Sequence, residues 1–87
     1  MSLTILKFTA VWCPPCQFLK PILDKILKDY PEVELDTIDI DEDQDTTSAY
    51  RITSVPTMVF MKDGQEVERL VGRYPEPLIR RAIEKAK

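Results

Sequence analysis

The chain has 87 residues, two of them cysteine and none histidine, and its 12 basic and 15 acidic side chains leave a net charge of −3. That length supports one small domain, residues 1–87, with a modest core, and so mild an acidity argues against a general binder of nucleic acid or other polyanions. No stretch reaches the roughly 18 apolar residues that a membrane span needs, and residues 1–6 lack the basic and long apolar segments of a secretion signal, so no membrane contact and a cytoplasmic location are expected.

Residues 3–9 are mostly apolar, β-branched or aromatic and read as a buried strand. Cys16, Leu19, Ile22, Leu23, Ile26, Leu27 and Tyr30 then recur at helical spacing. This predicts a helix over about residues 15–29, which Pro21 deprives of one hydrogen bond and bends, and which the Tyr30-Pro31 step ends. Both cysteines fall at the seam between strand and helix. Pro15 suits a first helical turn, where a missing N–H costs nothing, so Cys13 sits at or near the N-cap. There it faces free amides and the positive end of the dipole, which favour a thiolate. Cys16 is about one turn on, within reach of a disulfide, and Cys-x-x-Cys sites lower cysteine pKa values. A loop this short adds little stability, so the pair reads as a reversible switch. One chain cannot complete a zinc site with nitrogen or sulfur ligands from two cysteines. A metal or iron–sulfur centre shared between two chains stays open, and Trp12 and the prolines weigh against inert buried thiols.

Residues 33–40 alternate with a change of phase between Leu35 and Ile38, which predicts a strand with an irregular or bulged far end. The acidic run Asp36, Asp39, Asp41, Glu42, Asp43, Asp45 lacks the glycine and glutamate positions of an EF-hand loop. It is expected to solvate the strand end and to start a short helix over about residues 43–50. Residues 58–61 form a continuous apolar run, and Lys62-Asp63-Gly64-Gln65 turns it as a hairpin into residues 66–71. Pro75-Glu76-Pro77 announces a last helix with Leu78, Ile79, Ala82, Ile83 and Ala86 in one stripe. The order βαβαββα with right-handed crossovers predicts an α/β fold. Its four-stranded mixed sheet has three parallel strands, an antiparallel fourth from the hairpin, and helices on both faces. The Cys13 turn then lies at the carboxyl end of a central strand, where open α/β sheets place their sites.

Phe8-Thr9-Ala10-Val11-Trp12-Cys13-Pro14-Pro15-Cys16, with Pro21 in the helix, resembles the active-site segment of thioredoxins. Val55-Pro56-Thr57 is similar to the loop in which that family holds a cis-proline facing the cysteines. Lys62-Asp63-Gly64 and Gly72 fall at the family's hairpin turn and later glycine, so the resemblance spans essentially the whole chain. It implies a minimal thioredoxin fold and a shortened member, because full-length thioredoxins carry a further strand and helix before the first strand seen here. It also implies thiol-disulfide exchange, with Cys13 as nucleophile, Cys16 as resolving thiol and Cys13–Cys16 as the redox disulfide. The implied partners are disulfide-containing protein substrates and a thioredoxin reductase-like electron donor, with no bound cofactor, no metal and a monomeric state. Cys13 is expected at the exposed start of the helix and Cys16 deeper, beneath apolar neighbours. Trp12, Pro14, Val55 and Pro56, with Gly72 and Arg73 beside them, form the expected docking surface.

Two positions depart from the resemblance. Pro14 stands where most thioredoxins have glycine, and Lys7 where they carry a buried aspartate that assists proton transfer at the second cysteine. Lys7 shares the strand face of Leu3 and Ile5, beneath the helix that carries Cys16, where burial would lower its pKa. A charged amine there favours the Cys16 thiolate, and a neutral one accepts its proton. An amine that reaches solvent on its stem does neither. Trp-Cys-Pro-Pro-Cys also resembles the site of tryparedoxins and of some membrane-linked thiol reductases. A glutaredoxin-like electron donor and a non-catalytic thioredoxin-fold binding subunit of a larger enzyme are compatible with the same motif.

Overall fold

Alternation along the first strand, β1 (Leu3–Thr9), divides its side chains between two cores. The computed structural model describes residues 2–87, so Met1 of the expected 1–87 unit lies outside the described residues. Leu3 and Ile5 face one side of the sheet, where α1 (Pro14–Leu27) and α3 (Glu76–Ala86) cover them with Leu19, Leu23, Ile26, Ile79 and Ile83. Leu6 and Phe8 face the other side with Val59. That side is closed by Tyr50, at the end of α2 (Gln44–Ala49), and by Ile52 and Val55 after it. The Phe8 and Tyr50 rings lie 5.9 Å apart, tilted by 54°.

The sheet runs β2 (Glu34–Asp39), β1, β3 (Thr57–Lys62), β4 (Gln65–Val71). The expected strand order along the chain is found, but not the expected directions. β1 and β2 are parallel, whereas β3 is antiparallel to β1 and β4 antiparallel to β3. α2 by itself does not span the sheet. Six residues of helix advance about 9 Å, while the six residues of β2 extend about 20 Å. The chain from residue 40 to residue 56 stays at that end of the sheet, and β3 enters where β2 leaves.

The expected bulge in the second strand is also absent, since β2 keeps register with β1 from Thr4↔Glu34 to Thr9↔Asp39. The change of phase has another cause. Val33 and Leu35 pack on the α1/α3 face, while Ile38 and Ile40 pack on the opposite face with Leu6 and Phe8. The irregular register lies instead in the hairpin, between Phe60 and Met61. α1 starts one residue before the expected position, and Pro21 lies within it without ending it. Asp29 and Tyr30 then donate to Ile26 and Leu27 in a tighter turn. In α3 the stripe holds except at Leu78, which is 37% exposed. Arg80 ties α3 to the end of α1 by donating to Glu76 within its own helix and to Asp29 across the interface.

Phe60 is fully buried, whereas Val67 is 45% exposed. Phe60→Ala should therefore lose about 3–5 kcal/mol in urea unfolding, and Val67→Thr should stay within about 0.5 kcal/mol of the parent. Comparable losses at both positions would contradict this placement of the core.

Candidate active site

After β1 the chain turns once, with the Cys13 amide donating to the Ala10 carbonyl at 3.2 Å, and enters α1. Cys13 has extended dihedrals, φ −103° and ψ 105°, and is the N-cap. Pro14 and Pro15 occupy the first two helical positions and offer no N–H, so the expected set of free amides narrows to one. That one is Cys16 N–H, which donates to Cys13 Sγ at 3.2 Å. Cys13 and Cys16 form a disulfide, with Cα atoms 5.3 Å apart.

The expected contrast in exposure is not present, since Cys13 retains 4% of its surface and Cys16 3%. Ala10, Ile40 and Val55 pack against the pair and cover both. Their surroundings distinguish them. Cys13 Sγ lies 3.8 Å from the Val55 carbonyl oxygen, whereas Cys16 borders a cleft beside Lys7.

The remaining expected docking residues come together at the same end of the sheet. The Val55-Pro56 bond is cis, Pro56 is buried, and the Pro56 carbonyl accepts from the Gly72 amide at 2.8 Å. Gly72 has φ +93°, a conformation that side-chain-bearing residues rarely adopt. Pro14 is exposed, Trp12 is 62% exposed, and Arg73 lies with its guanidinium 5.5 Å from the centroid of the Phe18 ring. Two residues at this rim are not marked by the sequence pattern. Asp41 accepts from the Trp12 indole N–H at 2.8 Å, yet it stands 29 positions away within a solvated acidic run. Phe18 reads as core by default, although it falls off the buried stripe of Cys16, Leu19, Leu23 and Ile26 and is 59% exposed.

Lys7 is 5% exposed and lines a cleft of about 190 Å³ with Thr9, Cys16, Lys20, Thr37 and Asp39. Burial pushes its pKa below the ordinary 10.5. The Asp24 carboxylate opposes that shift and the Lys20 ammonium adds to it. The structure thus brings Lys7 and Cys16 to one cavity, as the strand alternation anticipates.

Together the strand–turn–helix seam, the paired thiols at a helix N-cap and the facing Val55-Pro56 loop define a dithiol–disulfide site on a minimal α/β fold. The sequence profile of the family described as Thioredoxin matches residues 1–85, and the chain belongs to the thioredoxin family. It is 43% identical over 77 residues to thioredoxin H-type 1 of Nicotiana tabacum, covering 88% of this chain and 61% of that one. To the thioredoxin of Chlamydia pneumoniae it is 37% identical over 84 residues, covering 97% and 82%. The chain thus spans about three-fifths of the tobacco relative and about four-fifths of the chlamydial one. The structure of Fasciola hepatica thioredoxin superposes with a TM-score of 0.92 at 37% identity, covering 99% of this chain and 82% of that one.

The depressed pKa of Lys7 makes a prediction of known sign. Between its folded pKa and its unfolded value of 10.5 the unfolded chain binds the extra proton, so stability rises with pH in that window. Below the window the full cost of burying the charge is present. The stability of Lys7→Met relative to the parent should therefore be greatest near pH 7 and should shrink toward about pH 10 in urea titrations. A difference independent of pH would mean that the amine is not desolvated by folding.

Proposed function

We propose that the protein is a thiol-disulfide oxidoreductase that reduces protein disulfides through Cys13 and Cys16. The observation that carries this reading is the paired thiols at a helix N-cap, with the Cys16 amide on Cys13 Sγ at 3.2 Å and the Val55 carbonyl 3.8 Å away. In the reduced protein the same amide and the helix dipole favour the Cys13 thiolate. That thiolate attacks one sulfur of a substrate disulfide, forms a mixed disulfide and expels the other sulfur, which takes up a proton. Cys16, deprotonated, then attacks Cys13 Sγ. The Cys13–Cys16 disulfide closes, the second substrate thiol leaves, and two electrons have passed to the substrate. A thioredoxin reductase-like donor returns the pair to the dithiol.

Cys13 is the nucleophile because its sulfur borders the Val55 carbonyl at the rim, and Cys16 is the resolving thiol because it borders the Lys7 cleft. Lys7 serves Cys16. Its lowered pKa brings the amine closer to that of a thiol, the condition for exchanging a proton with it. Trp12, Pro14, Val55, Pro56, Gly72 and Arg73 form the docking surface. One chain carries both thiols, so a monomer with residues 1–87 acting as one unit suffices and no bound cofactor or metal enters the reaction. A cytoplasmic setting fits, because that compartment keeps such a pair in the dithiol state.

Insulin reduction by dithiothreitol, followed by turbidity, tests the activity. The parent protein should accelerate it, and the Cys13→Ser, Cys16→Ser double variant should not. Cys16→Ser should accumulate a mixed disulfide with substrate in intact-mass spectra, while Cys13→Ser should not; equal trapping by both would reverse the role assignment. Lys7→Met should slow resolution of the mixed disulfide roughly tenfold near pH 7, where an unassisted thiol is mostly protonated. A resolution rate equal to the parent's would remove Lys7 from the mechanism.

A further inference from the structure

Four chain segments meet at one end of the sheet, and their order across it follows from the strand order β2-β1-β3-β4. Asp41 and Glu42 follow β2, the Trp12-Cys13 turn follows β1, Val55-Pro56 precede β3, and Gly72-Arg73 follow β4. Three strand spacings separate the outer two segments, about 14 Å in all, the reach of about four extended residues.

The outer segments differ in charge. Residues 29–50, which include β2 and α2, hold nine of the 15 acidic side chains and no basic one. At the other edge, Arg73 has no ion-pair partner among the described residues. Its guanidinium lies over the exposed Phe18 ring, and the two border a groove of about 210 Å³ that Pro15, Ile22 and Tyr74 also line. Stacking on an aromatic face leaves the guanidinium N–H groups free to donate. An unpaired cation at the mouth of an apolar groove suits an apolar side chain followed closely by a carboxylate.

We propose, resting on the oxidoreductase reading, that the site takes an extended segment of a polypeptide disulfide in one orientation set by charge. An acidic side chain beside an apolar one lies at Arg73 and Phe18, a basic side chain lies at the Asp41–Glu42 edge, and the reacting sulfur lies over Cys13 between them. The reverse orientation brings like charges together at both ends, and the two penalties add. Arg73 adjoins Gly72, whose amide is bonded to the Pro56 carbonyl at 2.8 Å, which ties the edge of the groove to the loop that faces Cys13.

The test uses disulfide-linked dimers of two short peptides of identical composition, each with one central cysteine. One carries lysine before the cysteine and leucine-glutamate after it; the other exchanges only the two charges, with glutamate before the cysteine and leucine-lysine after it, so that reversing the chain cannot bring both the leucine and the glutamate to Phe18 and Arg73. Mixed with protein reduced beforehand at low ionic strength, the two dimers should differ in second-order rate constant by about fivefold or more. Added salt should narrow the gap. Arg73→Glu should reduce the preference to within about twofold, and Arg73→Glu combined with Glu42→Lys should invert it. Both positions are exposed, so neither change removes core packing. Equal rates for the two dimers, or a preference that survives Arg73→Glu, would overturn the proposed orientation. Insulin reduction by the parent protein tests the chemistry separately. Its failure would overturn the oxidoreductase reading, and the orientation with it.

Discussion

β1 is hydrogen-bonded to β2 along one edge and to β3 along the other, with both faces covered, and each group of the site takes its position from that strand. The parallel register sets Thr9 beside Asp39. The Ile40 amide then bonds to the Thr9 carbonyl at 3.0 Å, and Asp41 emerges next to Trp12. The antiparallel register sets Phe8 beside Thr57, so that Val55-Pro56 emerges against Cys13. Contacts between residues 29 and 42 positions apart thus follow from two registers. A slip of one residue would exchange the faces of Lys7 and Phe8, placing a cation in the Val59 core and an aromatic ring in the cleft beside Cys16. The burial that stabilises the sheet and the geometry that assembles the site are one constraint.

The turn between β1 and α1 is stiffened by two consecutive prolines, and this changes the electrostatics of both sulfurs. Pro14 and Pro15 fix the backbone of the first helical turn but remove two of the donors that a helix N-terminus ordinarily presents. Cys13 keeps one close amide, that of Cys16, together with the field of a 14-residue helix. Cys16 takes no comparable donor from the turn. It borders instead the cleft that contains Lys7, approached from α1 by Lys20 and Asp24 and from β2 by Asp39. The two sulfurs therefore have different surroundings: Cys13 the helix backbone, Cys16 side chains on the sheet and on α1.

Periodicity locates β1, α1, β2 and α3, because burial on one face leaves a 2.0- or 3.6-residue trace in the sequence whatever the topology, while α2, β3 and β4 are located by the acidic run, the continuous apolar run and the Asp-Gly turn. Strand direction leaves no such trace. The expected parallel third strand is not found: residues 40–56 stay at the end of the sheet where β2 leaves, and β3 runs antiparallel to β1. The phase change between Leu35 and Ile38 is legible but ambiguous, since an edge strand covered on different faces at its two ends shows the same pattern as a bulge. At the site, the cysteines, Trp12, Pro56, Gly72 and Lys7 are legible from spacing, alternation and resemblance. Asp41 and Phe18 are not. Asp41 gains its role only through a tertiary hydrogen bond, and Phe18 only by falling off a helical stripe whose other members are buried.

The acidic run shows how local requirements can create a property of the whole rim. Asp39 accepts from the Asp41 and Glu42 amides at 2.8 and 3.3 Å, satisfying donors where β2 ends. Asp43 caps α2. The Thr46 amide and hydroxyl hold its carboxyl below the usual carboxylate range. Asp41 orients Trp12. Each of these carboxylates has a local partner that suits its residue type, so a metal ion is not required to explain why they lie together. The tight turn from strand to cap nevertheless concentrates negative charge at the β2 edge of the rim, while Arg73 extends the β4 edge. A net charge of −3 conceals this separation, because nine acidic side chains in residues 29–50 are offset by an excess of six basic ones, 12 against 6, in the rest of the chain. What a partner meets at close range is the separated charge, since at physiological ionic strength fields persist over about 8 Å and the two edges lie farther apart than that.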